Sequence, residues 1–202
     1  MSEVLVIDGH PRAGSLVDGL ASAYAAAAEE RVGVRRLNLR ELAFDPILHH
    51  GFTAEQPLEP DLVAAQAAIT AARHLVFVYP TWWGTYPALL KGFVDRVFLP
   101  GFGFRFRSPT RWDKLLAGRS ARLVVTLDWP VWAYRWLQGA PGRNAMATAT
   151  LGFCGVRPVR ITELSPVHGS DDAARARFVE RVRRDARRDV GHLPNAARRA
   201  LL

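Results

Sequence analysis

Short apolar runs alternate with helical patterns along the chain. The apolar runs are rich in β-branched residues, and the segments between them repeat apolar positions at helical spacing. The pattern predicts strands at 4–7, 34–37, 74–79, 121–127 and 156–161, and helices at 16–30, 60–72, 87–98, about 143–152 and 173–190. Such alternation is typical of a parallel sheet with helices on both faces, the doubly wound α/β class.

The same runs predict where the strands lie in the sheet. LVFV at 75–78 and LVVTL at 123–127 stay apolar, as expected for central strands buried on both faces. VRPVRI at 156–161 alternates and contains Pro158, which favours an edge strand. Residues 100–118 interrupt the pattern, and the alternation in GFGFRFR predicts a hairpin that decorates the sheet edge.

Ligands of a doubly wound sheet bind beyond the carboxyl ends of its strands, so the loops after Ile7, Tyr79 and Leu127 form the candidate site. In the first loop, Ser15 precedes Asp18 at the spacing of a capping box, and the free amides of the helix start attract an anion. The groups that would hold a phosphate are the amides of Ser15, Leu16 and Val17 and the side chains of His10 and Arg12. An ordinary capped turn explains the same pattern. The loop matches neither the dinucleotide fingerprint nor the P-loop, which disfavours both of those nucleotide-binding classes.

The second loop, residues 80–87, contains the adjacent aromatic residues Trp82 and Trp83. Two neighbouring side chains cannot both enter one core from a single strand, so at least one ring lies along the loop surface. Stacking on a planar cofactor such as a flavin would account for that exposure. The alternative is that both rings pack under the following helix.

The third loop, beginning at Thr126, is also aromatic. Trp129, Trp132, Trp136 and Tyr134 would wall a slot for a flat substrate, form a subunit interface or pack into the core. The phenol of Tyr134 is a candidate partner for a flavin edge or a substrate carbonyl, whereas a buried tyrosine bonded to backbone is the commoner case.

Composition limits the class of protein. The 202 residues, 49% of them hydrophobic, suffice for one domain over 1–202. The single cysteine, Cys154, excludes an intrachain disulfide framework and is expected to be small, buried and not a nucleophile. His49 and His50 lack the spacing of a metal site, so we expect no metal. The chain begins without a basic signal region and has no apolar run of about 20 residues, so we expect a cytoplasmic protein without membrane insertion.

The formal net charge of +8 comes from the second half of the chain, where 19 of the 27 basic residues lie. Many of them occupy one face of the predicted helix at 173–190, whose other face carries apolar residues at helical spacing. Long arginine stems cover apolar surface while their charged ends stay in water. We therefore interpret the charge as a solvated helix face rather than a nucleic-acid site.

Five segments together resemble the flavodoxin-like NAD(P)H:quinone oxidoreductases, the family of DT-diaphorase and its shorter bacterial relatives. The resemblance covers almost the whole chain and is most specific at the tryptophan loop and the helix after it. The segments are GHPRAGSL at 9–16, FDPIL at 44–48, VYPTWWGTYPALLKGFVDRVFLPGFGF at 78–104, KLLAGRSARLVVTLD at 114–128 and LGFCGVRPVR at 151–160.

This resemblance implies a five-stranded parallel sheet of order 2-1-3-4-5 that binds FMN or FAD without covalent attachment. It places His10, Ser15, Leu16 and Val17 at the flavin phosphate. It places the backbone of Pro80, Thr81, Trp82, Trp83 and Gly84 along the isoalloxazine ring, with loop amides directed at N5 and O4. Thr126, Leu127, Asp128 and Tyr134 fall on the third loop, which in the family meets the pyrimidine edge of the ring.

The chain departs from the family pattern at three places. Asp128 and Trp129 stand where many relatives have a Gly-Gly pair, and no histidine lies between Arg135 and Arg143 to relay a proton. The segment between Phe44 and Pro60 is shorter than in FAD-binding members, which favours FMN.

The resulting hypothesis is an enzyme that transfers hydride from NADH or NADPH through FMN to a quinone or similar aromatic acceptor by a ping-pong mechanism. The residues listed above bind the cofactor, and Tyr134 is the candidate catalytic group. The family also implies a homodimer. The alternative function is a flavodoxin-like accessory subunit that regulates a membrane transport system.

Overall fold

The computed structural model describes residues 3–193. Seven strands lie at β1 Val4–Asp8, β2 Val34–Asn38, β3 His74–Pro80, β4 Phe104–Ser108, β5 Arg111–Lys114, β6 Ser120–Thr126 and β7 Val159–Leu164. The α-helices are α1 Leu16–Glu29, α2 Pro60–Ala71, α3 Ala88–Val97, α4 Val131–Trp136, α5 Pro141–Asn144 and α6 Asp172–Gly191. A short 3-10 helix at Leu39–Glu41 follows β2, and a π-helix at Ala145–Gly152 continues α5.

Five parallel strands form the main sheet in the order β2-β1-β3-β6-β7. This order confirms the flavodoxin-like doubly wound prediction. The two apolar runs expected at the centre are β3 and β6, which are buried almost along their whole length.

The last strand lies at the sheet edge, as predicted, but begins three residues later than expected. Val156 donates its amide to Leu151 at the end of the π-helix, and Pro158 has no amide to contribute to a ladder. Pairing with β6 therefore starts at Val159, opposite Ala121.

Two hydrophobic cores cover the two faces of the sheet. Leu5 and Ile7 of β1 point into the core formed with α2, α3 and the π-helix. Val4 and Val6 point into the other, formed with α1 and α6. This division follows from the two-residue period of a strand, and it confirms that helices lie on both faces.

The predicted hairpin is present as β4 and β5, but it does not add to the main sheet. It packs instead on the turn after the π-helix. The Trp112 ring stacks on Phe153 at a centroid distance of 4.6 Å and donates its Nε1–H to the Phe153 carbonyl at 3.0 Å. Leu116 donates its amide to Cys154.

A buried polar network ties α6 to the amino ends of the central strands. The Asp189 carboxylate accepts hydrogen bonds from two guanidinium nitrogens of Arg122 and, at 2.8 Å, from the Tyr24 hydroxyl. His74 lies 3.4 Å from the same carboxylate. Because all four side chains are buried, their pairing fixes the position of α6 on the sheet. Within residues 3–193 we find no helix with the length and apolar character required to cross a membrane.

Candidate functional site

The loops after β1, β3 and β6 meet at the carboxyl edge of the sheet and enclose two adjoining cavities. The first cavity has a volume of about 360 Å³ and the second about 690 Å³. They share Thr81, Leu127 and Asp128 as lining residues, so one elongated ligand would contact both. A separate cavity of about 630 Å³, between the 48–58 and 99–102 segments, contains none of the predicted site residues.

The first cavity opens onto the amino end of α1. Ser15 caps the helix by accepting the Asp18 amide at 3.2 Å, and the Asp18 carboxylate accepts the Gly14 amide at 2.9 Å. Gly14 has a φ of 66°, a conformation that favours glycine. The amides of Ser15, Leu16 and Val17 have no acceptor among the described residues. Free amides and the positive end of a helix dipole together form a site for an anion.

A buried carboxylate fixes the loop that carries His10. Asp8 accepts the His10 amide at 2.9 Å with one oxygen and the Arg40 guanidinium at 2.5 Å with the other. Arg40 also reaches Asp18 at 3.3 Å, which links the start of the loop to the start of α1. The loop is therefore held at both ends.

The same contacts define the protonation of His10. Its Nδ1 accepts the Arg12 amide at 3.0 Å, so in the neutral ring the proton resides on Nε2. Burial lowers the pKa of His10 and outweighs the opposing effect of Asp8. A neutral imidazole with an Nε2–H donor is thus favoured near neutral pH.

The second loop is a tight two-residue turn. The Trp82 amide donates to the Thr85 carbonyl at 2.7 Å, and the Trp82 carbonyl accepts the Thr85 amide at 3.0 Å. Trp83 and Gly84 between them have φ of 52° and 78°, the signs of a type I′ turn. Holding a tryptophan at positive φ costs about 1 kcal/mol, and the turn leaves the Trp83 side chain fully exposed.

The turn decides which backbone amides remain available. Thr81 donates its amide to Thr126 at 2.7 Å, and Trp82 donates within the turn. Only the amides of Trp83 and Gly84 in the segment 81–84 lack an acceptor among the described residues. The Thr81 hydroxyl is buried and likewise has no hydrogen-bond partner there.

The third loop is anchored to the segment after β7. Asp128 accepts the His168 amide at 2.7 Å, and the Trp129 carbonyl accepts the Ser165 hydroxyl at 2.5 Å. The tryptophans of this loop are exposed, with 53% of Trp129, 62% of Trp132 and 83% of Trp136 accessible, so they do not form the core.

Tyr134 is buried and its hydroxyl is engaged. It donates to the Gly84 carbonyl at 3.2 Å and accepts the Arg143 amide at 3.3 Å. Burial also raises the pKa of the phenol. These contacts give Tyr134 the role of holding the second loop, and a catalytic role stays a prediction that would require the bond to Gly84 to break.

The structure brings the predicted residues together. The first cavity is lined by His10, Ser15, Leu16, Val17, Pro80, Thr81, Trp82, Thr126, Leu127 and Asp128. The second contains Trp83, Gly84 and Tyr134 in addition to the shared residues. The tertiary structure adds lining residues that we had not placed there: Arg175 and Val167 in the first cavity, and Gln138 and Pro141 in the second.

Two other predicted features lie outside the site. Cys154 is buried, and burial raises the pKa of its thiol to about 11, so it is not a nucleophile at neutral pH. His49 is exposed and contacts Asp45 at 2.7 Å. Across residues 3–193, no cluster of three or more potential metal ligands is present.

A family described by its flavodoxin-like fold matches residues 2–186. The chain belongs to this family of NAD(P)H:quinone oxidoreductase-type enzymes. Its flavodoxin-like relatives include an uncharacterized NAD(P)H oxidoreductase of Haemophilus influenzae, 29% identical over 75% of this chain and 77% of the relative. The alignment with human ribosyldihydronicotinamide dehydrogenase [quinone] is 32% identical but spans only 54% of this chain and 48% of that protein.

Solved flavodoxin-like structures agree with the fold. The NAD(P)H:quinone oxidoreductase of Methanothermobacter marburgensis has a TM-score of 0.77 at 22% identity, covering 92% of this chain and 98% of that one. An FMN-dependent NADH-azoreductase of Bacillus anthracis, solved with FMN, has a TM-score of 0.74 at 17% identity, covering 96% and 100%. At these identities the likeness concerns the fold. The family match, not this likeness, identifies the chain as an enzyme of the NAD(P)H:quinone oxidoreductase type.

Proposed function

We propose that this protein binds FMN across the two adjoining cavities and uses it to transfer hydride from NADH or NADPH to a quinone or another flat aromatic acceptor. The observation that carries the proposal is the row of free amides at the start of α1, at the sheet edge where the two cavities meet. FMN-bound relatives of the same fold support it.

The first cavity fits a phosphate. The amides of Ser15, Leu16 and Val17 would donate to it, and His10, Arg12 and Arg175 line the same cavity. The His10 tautomer leaves its Nε2–H as a further donor. An anion held there gains from both the helix dipole and the nearby guanidinium groups.

The second cavity fits a flat polar ring. The buried Thr81 hydroxyl and the Trp83 and Gly84 amides supply unpaired donors beside it, and Leu127 forms a wall that it shares with the first cavity. A buried hydroxyl without a partner costs free energy, and a ligand oxygen or ring nitrogen would remove that cost.

FMN is preferred to FAD because the segment after β2 is short and fixed. Arg96 is fully buried and donates to the carbonyls of Asp45 and Pro57 at 2.6 and 2.9 Å, with Glu59 as its ion-pair partner at 2.9 Å. These bonds hold the segment on α3, and it lines neither of the two cavities. The cavity that this segment does line, of about 630 Å³, is separate from them, so an adenosine group extending from the FMN site would not contact the segment.

When bound, FMN supplies the redox chemistry by taking two electrons and a proton from NAD(P)H and passing them to the acceptor. Thr81, Trp83 and Gly84 would hold the ring edge, and the amides at the start of α1 would hold the phosphate. Since the second cavity has a volume of about 690 Å³, donor and acceptor would stack in turn on the open face of the ring within it, which is the basis of the proposed ping-pong order. Such positioning is the main contribution that side chains without reactive groups make to a rate.

The test compares FMN with riboflavin, which lacks the phosphate. Binding is followed by flavin fluorescence, and anaerobic NADH or NADPH oxidation by a quinone is followed by absorbance. We expect FMN to bind at least tenfold tighter than riboflavin, and Arg175→Gln to weaken FMN about tenfold without affecting riboflavin. Arg177→Gln on the same helix, exposed and outside the cavity, is the matched control. Failure to bind either flavin, or binding without turnover, would refute the proposal.

The family expectation of a homodimer remains a proposal. Its support is the exposure of Trp132, Trp136 and Leu137 on and just after α4, where a partner would remove apolar surface from water. Light scattering of the FMN-loaded protein at several concentrations tests it, and a monomer throughout would contradict it.

A further inference from the structure

The second cavity has an unusual lining. Two tryptophans, Trp83 and Trp129, stand at it with more than half of their surface accessible. Asp128 is its one carboxylate, and no lysine, arginine or histidine belongs to the lining among the described residues. Aromatic faces attract cations, as a carboxylate does.

The Asp128 carboxylate is held in place without being neutralised. One oxygen accepts the His168 amide at 2.7 Å. The backbone is fixed before Asp128, where the Leu127 amide donates to the Leu164 carbonyl and the Leu127 carbonyl accepts the Val167 amide, and after it, where the Trp129 carbonyl accepts the Ser165 hydroxyl. The second carboxylate oxygen has no partner within residues 3–193, and the side chain is exposed.

The guanidinium groups of Arg135 and Arg143 lie outside the lining of this cavity, and Glu163 offsets one of their two charges. Arg135 and Arg143 both pair with Glu163, whose side chain is only 1% accessible. In the first cavity, which Asp128 also lines, a phosphate at α1 would take up the charge of Arg12 and Arg175, and the neutral His10 adds none. The ring end of the site therefore keeps a negative charge.

We propose that the second cavity selects cationic and neutral flat aromatic acceptors over anionic ones, and that Asp128 sets this preference. The inference rests on the proposed function and names the charge class of its acceptor. For a cationic dye, NAD(P)H supplies two electrons and a proton, the dye becomes neutral, and NAD(P)⁺ is released, so charge and atoms balance.

The test uses two redox-inert probes of the same shape and opposite charge, 9-aminoacridine and acridine-9-carboxylate. Each is titrated into the oxidised, FMN-saturated protein, and binding is followed by acridine fluorescence. We expect the cation to bind about tenfold tighter than the anion. Because Asp128 is exposed, Asp128→Asn should change each affinity by only about threefold in opposite directions, so that the preference falls about tenfold.

A matched control removes a negative charge elsewhere. Glu29→Gln, at the far end of α1 and exposed, changes the net charge equally and should leave the preference unchanged. Raising the ionic strength should reduce the preference of the wild type but hardly affect Asp128→Asn. A phenothiazinium dye and a sulfonated naphthoquinone test the same preference in turnover. The ratio of kcat/KM for the dye to kcat/KM for the quinone should fall about tenfold in Asp128→Asn and stay unchanged in Glu29→Gln.

The outcomes separate the two proposals. If FMN does not bind or quinone turnover is absent, the proposed function fails. The charge selection is overturned by either of two results in a protein that binds FMN and reduces a neutral quinone. One is that the two probes bind with equal affinity; the other is that Asp128→Asn and Glu29→Gln change the probe affinities alike.

Discussion

Replacing Tyr134 with phenylalanine separates a positioning role from a catalytic one. The substitution removes only the hydroxyl, which donates to the Gly84 carbonyl at 3.2 Å and accepts the Arg143 amide at 3.3 Å. The ring stays in a site that leaves 2% of the residue accessible. The change therefore acts on two backbone groups and on nothing else in the core.

The magnitude follows from what those two groups retain. The Gly84 carbonyl still accepts the Gly142 amide at 3.0 Å, so it is not left unpaired. The Arg143 amide has no other acceptor among the described residues and would lose its partner. One weak bond lost plus one partly buried amide left unpaired costs about 1–2 kcal/mol of unfolding free energy.

The functional effect should be correspondingly small. If Tyr134 only holds the Trp83-Gly84 turn, FMN affinity falls severalfold and the turnover number at saturating FMN changes by less than about threefold. If its phenol donates a proton in the reaction, the turnover number falls by about 10²–10⁴. The two roles thus differ by more than any plausible experimental error.

The assay combines urea unfolding, FMN titration and anaerobic turnover on the same preparations. Tyr79→Phe is the matched control, since the buried Tyr79 hydroxyl has no hydrogen-bond partner and its removal should leave stability unchanged or higher. A hundredfold loss of turnover in Tyr134→Phe, with normal stability and normal FMN affinity, would refute the positioning role.

Three further experiments, two substitutions and one thiol-labelling reaction, test the fold and the site. Asp189→Asn should lower the unfolding free energy by about 1–3 kcal/mol because the buried Arg122 loses one of its two carboxylate partners and keeps only Asp185, at 3.4 Å. Burial alone would raise the pKa of Asp189, but the bonds from Arg122 and His74 hold it well below its usual value, so its contribution is present above about pH 4 and is lost on acidification. Gly142→Ala would place Cβ 2.5 Å from the Thr85 Cα and should cost about 1–3 kcal/mol while weakening FMN binding. Cys154, with a thiol pKa of about 11, should resist alkylation at pH 8 until the protein is unfolded.

Each of these has a clear contrary result. Denaturation curves for Asp189→Asn that match the wild type at pH 7, or a wild type equally stable at pH 7 and pH 3, would contradict the buried network. Gly19→Ala, with no atom within 4 Å of the added carbon, is the control for Gly142→Ala and should be neutral or slightly stabilising. Rapid labelling of Cys154 in the native protein would show that the thiol is accessible.

The fold was predictable because its central strands carry an unambiguous signal. LVFV has no polar position and LVVTL has only Thr126, and such runs fit strands that helices cover on both sides. The start of β7 was not predictable from the pattern, since Val156 has the composition of a strand residue and is taken by the end of the π-helix. The short helix α4 was missed because its exposed face carries Trp132 and Trp136 instead of polar residues.

The site was predictable as far as its loops, but not in its hydrogen bonding. The sequence places the segment 80–84 at the cavity, but its hydrogen bonds appear only in the structure. The amides of Thr81 and Trp82 donate to backbone carbonyls of the protein, whereas those of Trp83 and Gly84 have no acceptor among the described residues. Arg175 carries no sequence signal that distinguishes it from the other arginines of α6. Its place in the first cavity depends on how α6 returns across the sheet.

That return path also separates what stabilises the protein from what would bind the cofactor. The buried network meets the strands at their amino ends, where His74 begins β3, whereas both cavities lie at their carboxyl ends. α6 connects the two, with Asp189 near one end and Arg175 near the other. Between them Val182 and Ala186 are fully buried in the core shared with α1, so apolar packing holds the helix when the Asp189 pairing is lost. The folded fraction of Asp189→Asn should therefore bind FMN with wild-type affinity, even though less of the protein is folded.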